Sequence, residues 1–140
     1  MTRVVFDSSA LFKRYAGETG VGRVTALHEG ATSIVLAAHC LTELVSALTR
    51  QWREGAFDEG EYLRVRQAMR EDFNAYRVEP LSRTVQDFAI AALMLAPLRA
   101  LDALHIGTAQ AAHANLFVTA DRRQAQAAQA AGLQTELIEA

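Results

Sequence analysis

The sequence predicts a three-layer α/β/α domain on a central, mostly parallel sheet. Short apolar runs rich in β-branched and aromatic residues recur at 4–6, 33–36 and 116–119, without the polar alternation of a strand that has one wet face. Each run is followed by residues at helical spacing, and parallel strands need crossovers of that length, usually right-handed and helical. A chain of 140 residues, 51% hydrophobic and 21% charged, fits one domain over 1–140, burying roughly two-thirds of its unfolded surface.

Val4-Val5-Phe6 forms the first strand, broken by Asp7-Ser8-Ser9, and Ala10-Leu11-Phe12 opens a helix running toward Tyr15. Beyond the break at Gly17 to Gly20, Val21, Val24 and Leu27 line a second helix that stops near Gly30, and 33–36 is the second strand. From 39 to 53, Leu41, Leu44, Val45, Leu48 and Trp52 fall at steps of three and four, one buried stripe with Glu43 off it. A charged helix over 58–74 carries Tyr62, Val65, Met69 and Phe73 as its apolar line, leaving Arg64, Arg66 and Arg70 on solvated faces. Residues 76–79 make a third strand before Pro80, Ser82 caps a helix through Leu93, and Pro97 closes that segment. A helix over 101–114, a strand over 116–119, a helix over 122–131 ended by Gly132 and a last strand near 135–138 complete the order.

Composition removes several function classes. Cys40 is the only cysteine, so there is no internal disulfide and no thiolate cluster for zinc. No run approaches the ~20 apolar residues of a membrane span, and Met1-Thr2-Arg3 leads into a strand instead of a secretory signal. The expectation is a soluble, cytoplasmic chain. A net charge of −2 is unlike a protein that holds nucleic acid by bulk electrostatics, so any such site is local. No glycine-rich stretch ends in Gly-Lys-Ser/Thr, which removes phosphate-loop nucleotide binding.

In open parallel sheets ligands bind beyond the carboxyl ends of the strands. Asp7 follows the first strand, Asp121 follows the strand ending at Thr119, Asp102 opens a helix, and Glu43 sits in the first turns of another. All four can face one edge. Singly, Asp7, Asp102 and Asp121 stand where an N-cap stands, and Glu43 where an acid complements a helix dipole. Together, clustered carboxylates repel and raise one another's pKa unless a cation neutralises them. Oxygen-only ligation selects Mg²⁺ or Mn²⁺, and four carboxylates suffice for one ion or for the pair, ~3.5–4 Å apart, of two-metal phosphodiester hydrolysis. Ser8, Ser9 and Thr119 put hydroxyls beside the acids, as caps or as contacts to water and phosphate. His105, one turn after Asp102, reads first as a structural histidine and second as a ligand or proton shuttle; His28, His39 and His113 offer no companion at recognisable spacing.

The segments Val5-Phe6-Asp7-Ser8-Ser9-Ala10-Leu11, Leu41-Thr42-Glu43-Leu44, Leu101-Asp102-Ala103-Leu104-His105 and Val118-Thr119-Ala120-Asp121 resemble those of the PIN-domain ribonucleases, more closely the VapC-type toxins of type II toxin–antitoxin systems. The resemblance spans essentially the whole chain, and its specificity lies in the order and context of four acids. It implies a PIN fold, dependence on Mg²⁺ or Mn²⁺, endonucleolytic cleavage of RNA by metal-activated water, a homodimer, and a cognate antitoxin that occupies the active-site groove. It further implies that Asp7 and Asp102 ligate metal directly, with Glu43 and Asp121 completing the pocket. Lys13, Arg14, Arg122 and Arg123 are available near that edge to hold RNA phosphates, with Ser9 and Thr119 as further substrate contacts.

Two rivals stand beside this reading. A phospho-receiver domain would use Asp7 as phosphoacceptor, but it wants a second acid next to Asp7 and a lysine after a late strand, whereas Ser8 and Ser9 follow and Lys13 is misplaced. A non-catalytic module would keep the fold and only bind RNA or a protein; the intact acid set argues against it.

Overall fold

In the computed structural model, which describes residues 2–139, the chain runs β1 (Arg3–Phe6), α1 (Ser8–Ala16), α2 (Val21–Gly30), β2 (Ser33–Ala37), α3 (Cys40–Arg53), α4 (Glu59–Phe73), β3 (Arg77–Glu79), α5 (Arg83–Leu93), α6 (Ala100–Ala111), β4 (Leu116–Thr119), α7 (Arg122–Ala130) and β5 (Thr135–Leu137). The strands form one sheet in the order β3-β2-β1-β4-β5, and every pairing is parallel. The expected three-layer α/β/α architecture is what forms, with helices covering both faces.

Strand register sorts the side chains into two cores. Val5 pairs with Val35 and with Phe117, and that row meets Ala92, Ile106, Ala109, Ala127 and Ala128 from α5, α6 and α7. On the opposite face Val4, Phe6, Ile34, Leu36 and Val118 pack with Leu11, Leu44, Leu48 and Met69 from α1, α3 and α4. The central strands are buried on both sides, which is why their sequences read as continuous apolar runs.

Helix starts follow the capping chemistry of the sequence. Asp7, Asp58, Ser82 and Asp121 each accept a backbone N–H of the helix they precede. Asp102 departs from this expectation: Arg99 is the N-cap of α6, and Asp102 lies inside the first turn. There its carboxylate is not consumed by capping.

From β1 the chain builds outward to β2 and β3, then returns to place β4 and β5 on the other side of β1. The order therefore reverses between β1 and β4, and beyond their carboxyl ends lies the crevice that a switch point creates. The Asp7 N–H donates to Val118 O at 2.9 Å, closing the two strand ends together there.

Candidate active site

Asp7 occupies this crevice and is only 4% exposed. Its Oδ1 accepts the Ala10 N–H at 3.0 Å and the Ser9 hydroxyl at 2.7 Å, while the Thr119 hydroxyl donates to Oδ2. Thr119 Oγ1 accepts the Asp121 N–H and Ser9 Oγ accepts the Ala120 N–H, each at 3.0 Å. Two of the three hydroxyls anticipated beside the acids, those of Ser9 and Thr119, thus fix both the carboxylate and the loop after β4. Burial raises the Asp7 pKa, opposed but not outweighed by the His105 imidazole and by hydrogen bonds from Thr119, Ser9 and Ala10.

Glu43 reaches the same edge from the first turn of α3. Its Oε1 accepts from Ser8 Oγ at 2.7 Å and His105 Nε2 at 2.6 Å, with His39 Nε2 at 3.3 Å. The His39 Nε2 also lies 3.0 Å from Leu101 O, and since a carbonyl only accepts, that nitrogen carries the proton. Partial burial pushes the Glu43 pKa up, but His105, Ser8 and His39 more than reverse this and hold it below the ordinary glutamate value. Cys40 touches Ser8 Oγ at 3.5 Å and burial pushes its thiol up to about 12, so it stays a neutral thiol and no nucleophile.

Among the described residues, His39, Glu43 and His105 are the one group of three ligand-type side chains whose donor atoms lie within 4.8 Å of one another. The expectation that His39 is no companion of His105 is overturned: their rings stand 4.4 Å apart. His39 and Glu43 are four residues apart at the start of α3, a spacing visible in the sequence, but only packing brings α6 and its His105 against them.

Asp102 and Asp121 line a second cleft of about 460 Å³ with Arg99 and Arg123. Asp102 Oδ2 is 3.4 Å from Arg99 Nε, and Asp121 Oδ1 accepts the Arg123 N–H at 2.8 Å. Gln124 Nε2 donates to Asp102 O at 2.9 Å and ties α7 to α6. Glu43 lines a neighbouring cleft of about 490 Å³ with Ser8, Ser9 and Arg50. The acids therefore sit on one edge but divide between two clefts. Asp7 is linked to one through Thr119 and Asp121, and to the other through Ser9.

The donor chemistry of this edge, carboxylates together with the His39–Glu43–His105 group, fits a divalent cation. Asp7 is a buried carboxylate with neutral hydrogen-bond donors only, an arrangement that favours an added positive charge. Among the described residues, the buried side-chain atoms without a partner are His105 Nδ1 and Gln124 Oε1. Both belong to side chains bonded to an acid residue of this edge.

The expected phosphate-holding residues fare unevenly. Lys13 is buried, with its ammonium donating to Thr19 O at 2.8 Å, and Arg14 donates to His28 at 2.9 Å and to the Tyr76 hydroxyl at 3.1 Å. Arg122 pairs with Glu139 at 3.0 Å. Arg123 alone of that set lines a cleft with two of the acids. Sequence reasoning missed Arg99, three residues before Asp102, and Arg50, seven after Glu43 and so two turns along the same face of α3. Both spacings were readable once each acid was placed on a helix.

A parallel α/β/α sheet with carboxylates along its switch-point edge defines the class of domain. Within that class the chain belongs to the PIN domain family, whose model matches residues 4–130. No curated protein matches it. Among solved structures, it is similar to FitAcB from Neisseria gonorrhoeae, at 13% identity and a TM-score of 0.75 over 94% of this chain and 95% of that one. It is also similar to the sarcin-ricin loop cleaving toxin VapC20 from Mycobacterium tuberculosis, at 16% identity and a TM-score of 0.67 over 89% and 94% of the two chains. VapBC2 from Rickettsia felis, bound to a DNA fragment from its promoter, matches at 10% identity and a TM-score of 0.70, over 97% of this chain and 98% of that one. At these identities the likeness is one of fold.

Proposed function

We propose that this PIN domain is the toxin of a type II toxin–antitoxin pair, a cytoplasmic endoribonuclease that depends on Mg²⁺ or Mn²⁺. The observation that carries the reading is the set Asp7, Glu43, Asp102 and Asp121 on the switch-point edge of a PIN fold. Asp7 and Asp102 would hold the cation, with Glu43 and Asp121 completing the acidic edge. When bound, the cation neutralises phosphate charge and lowers the pKa of water.

The chain's own residues prepare that chemistry. Ser9, Thr119 and the Ala10 N–H hold the Asp7 carboxylate in one orientation. Ser8, His105 and His39 all approach Glu43 Oε1, keeping the side chain ionised. Oε2 takes no hydrogen bond among the described residues and is the oxygen that can accept a proton from an attacking water. Arg99 and Arg123, beside Asp102 and Asp121, stand where a phosphate entering that cleft would meet them.

The toxin role draws on the likeness in fold to the toxins of such pairs, with a cognate antitoxin as partner, covering the acidic edge when bound. A homodimer is supported by the apolar surface of α5 and the turn after it, where Phe88, Ile90, Leu93, Leu95 and nearby Leu101 are exposed and Met94 is 88% exposed. The test is incubation of purified, antitoxin-free protein with labelled RNA in Mg²⁺, Mn²⁺ or EDTA, beside Asp102→Asn. Cuts that vanish with EDTA and in the variant support the reading. Folded protein that binds RNA without cutting it in either metal returns the domain to a binding-only module.

A further inference from the structure

Five of the thirteen arginines pair with acids among the described residues: Arg23 with Glu136, Arg64 with Glu61, Arg77 with Glu79, Arg99 with Asp102 and Arg122 with Glu139. Among the described residues Arg50, Arg53, Arg66, Arg70, Arg83 and Arg123 make no side-chain hydrogen bond or ion pair, Arg66 lying over the Tyr62 ring, and three of these six, Arg50, Arg53 and Arg70, converge on one groove of about 720 Å³ between α3 and α4. Arg50 and Glu54 line both this groove and the cleft that holds Glu43, so the two depressions adjoin at these residues.

Gathering unmatched like charges is unfavourable. Arg50 and Arg53 are neighbours at three residues on one helix, and such pairs repel by a few tenths of a kcal/mol. Glu54 lies on the same rim without ion-pairing to them. In a chain of net charge −2, a local concentration of free guanidinium groups opening onto an acidic edge is the local basic site that nucleic acid requires. The floor supplies Leu41 and Val45 with the exposed hydroxyls of Thr42 and Ser46, and no aromatic ring lines it. Contact there is to phosphate and sugar, not to stacked bases.

We propose that the α3–α4 groove is the track for the single-stranded RNA backbone leading away from the acidic edge, with Arg50 as the first phosphate contact past Glu43 and Arg53 and Arg70 as the next. This rests on the ribonuclease reading above. Because guanidinium–phosphate contacts release counterions, the track makes RNA affinity fall steeply with salt and makes it tolerant of base sequence.

The experiment measures the Kd for an unstructured RNA oligonucleotide in EDTA, across a salt series, for the wild type, R50Q, the triple variant R50Q/R53Q/R70Q, and R83Q as a charge-matched control outside the groove. Circular dichroism verifies that each is folded, and wild-type cleavage in Mg²⁺ or Mn²⁺ is run in parallel. The triple variant should bind roughly tenfold or more weaker at low salt, with the slope of log K against log salt shallower by about 2 and R50Q accounting for about 0.7 of it. R83Q should leave both unchanged. If the wild type cleaves and the groove variants keep its Kd and slope, the track is overturned, and weaker capture of the antitoxin by the same variants would assign the groove to an acidic protein segment instead. A wild type that neither cleaves nor binds RNA overturns the ribonuclease reading and this inference together.

Discussion

The two helical layers hold the same sheet by different means. On one face large side chains, Phe6, Leu11, Leu36, Leu44, Leu48 and Met69, fill the space between β1, β2 and helices α1, α3 and α4. On the other, alanines of α5, α6 and α7 lie against Val5, Val35 and Phe117. There the helices themselves come close: a Cβ added to Gly107 of α6 would stand 2.4 Å from Val85 O and 2.9 Å from Ala89 N on α5. The candidate active-site edge is assembled from both layers, Glu43 from the first and Asp102 from the second, with Asp7 from the sheet between. Chemistry placed on a seam between two layers is set by how well each layer is seated.

The largest effect should come from the acids themselves. Asp102→Asn or Asp7→Asn should lower kcat by about 10²–10³ or more, the scale of removing one preorganised charge-stabilising group, and expression without the antitoxin should then no longer arrest growth. Equal cleavage by both variants and the wild type would break the proposed division of roles. His105→Ala comes next. It removes the 2.6 Å bond that carries Glu43 across the seam, and an expected loss of about 10–100-fold should come with an upward move of the acidic limb of the pH–rate profile. A loss without that move would make His105 a packing residue only.

Stability sharpens the same comparison. Gly107→Ala should cost about 1–3 kcal/mol by forcing α5 and α6 apart, read as a lower Tm, whereas Leu→Ala changes in the large-side-chain layer act by leaving cavities. Asp7→Asn should act in the opposite sense in EDTA. Because burial raises the folded-state pKa of Asp7 above its unfolded value, its ionised form destabilises the fold. The metal-free wild type therefore loses stability as pH climbs from the unfolded aspartate pKa through the folded one. The Asn variant should show a flatter profile and melt higher at neutral pH, by about 3 °C per kcal/mol recovered. Smallest is Ser82→Ala, which removes the α5 cap made to the Val85 N–H at 3.2 Å for about 1 kcal/mol.

Much of the fold was legible because local chemistry and tertiary demand agree. The runs at 4–6, 33–36 and 116–119 became β1, β2 and β4, and Ser82 and Gly17 mark helix ends where their side chain or left-handed backbone is needed. Lys13 lines the cleft that holds Glu43 but has its ammonium bonded within the chain, and Arg14 is likewise engaged, because position near an edge says nothing about direction. One folds back to the Thr19 carbonyl and the other toward His28 and Tyr76. His39 was passed over for the converse reason, since its partner His105 lies far away in the chain.

The sequence by itself determined the strands, the helices and their caps, because each rests on periodicity or on residues a few positions apart, and it carried the resemblance to the family in the order and context of four acids along the whole chain. Tertiary structure decided the strand order that reverses between β1 and β4, the closure of Ser8, His39 and His105 around Glu43, and the split of the acids between two clefts. It also decided which arginines remain free, including the three that share a groove. Those outcomes depend on which side chains meet across long loops, where a few ångströms of helix placement settle whether a charge is neutralised by its own chain or left for a ligand.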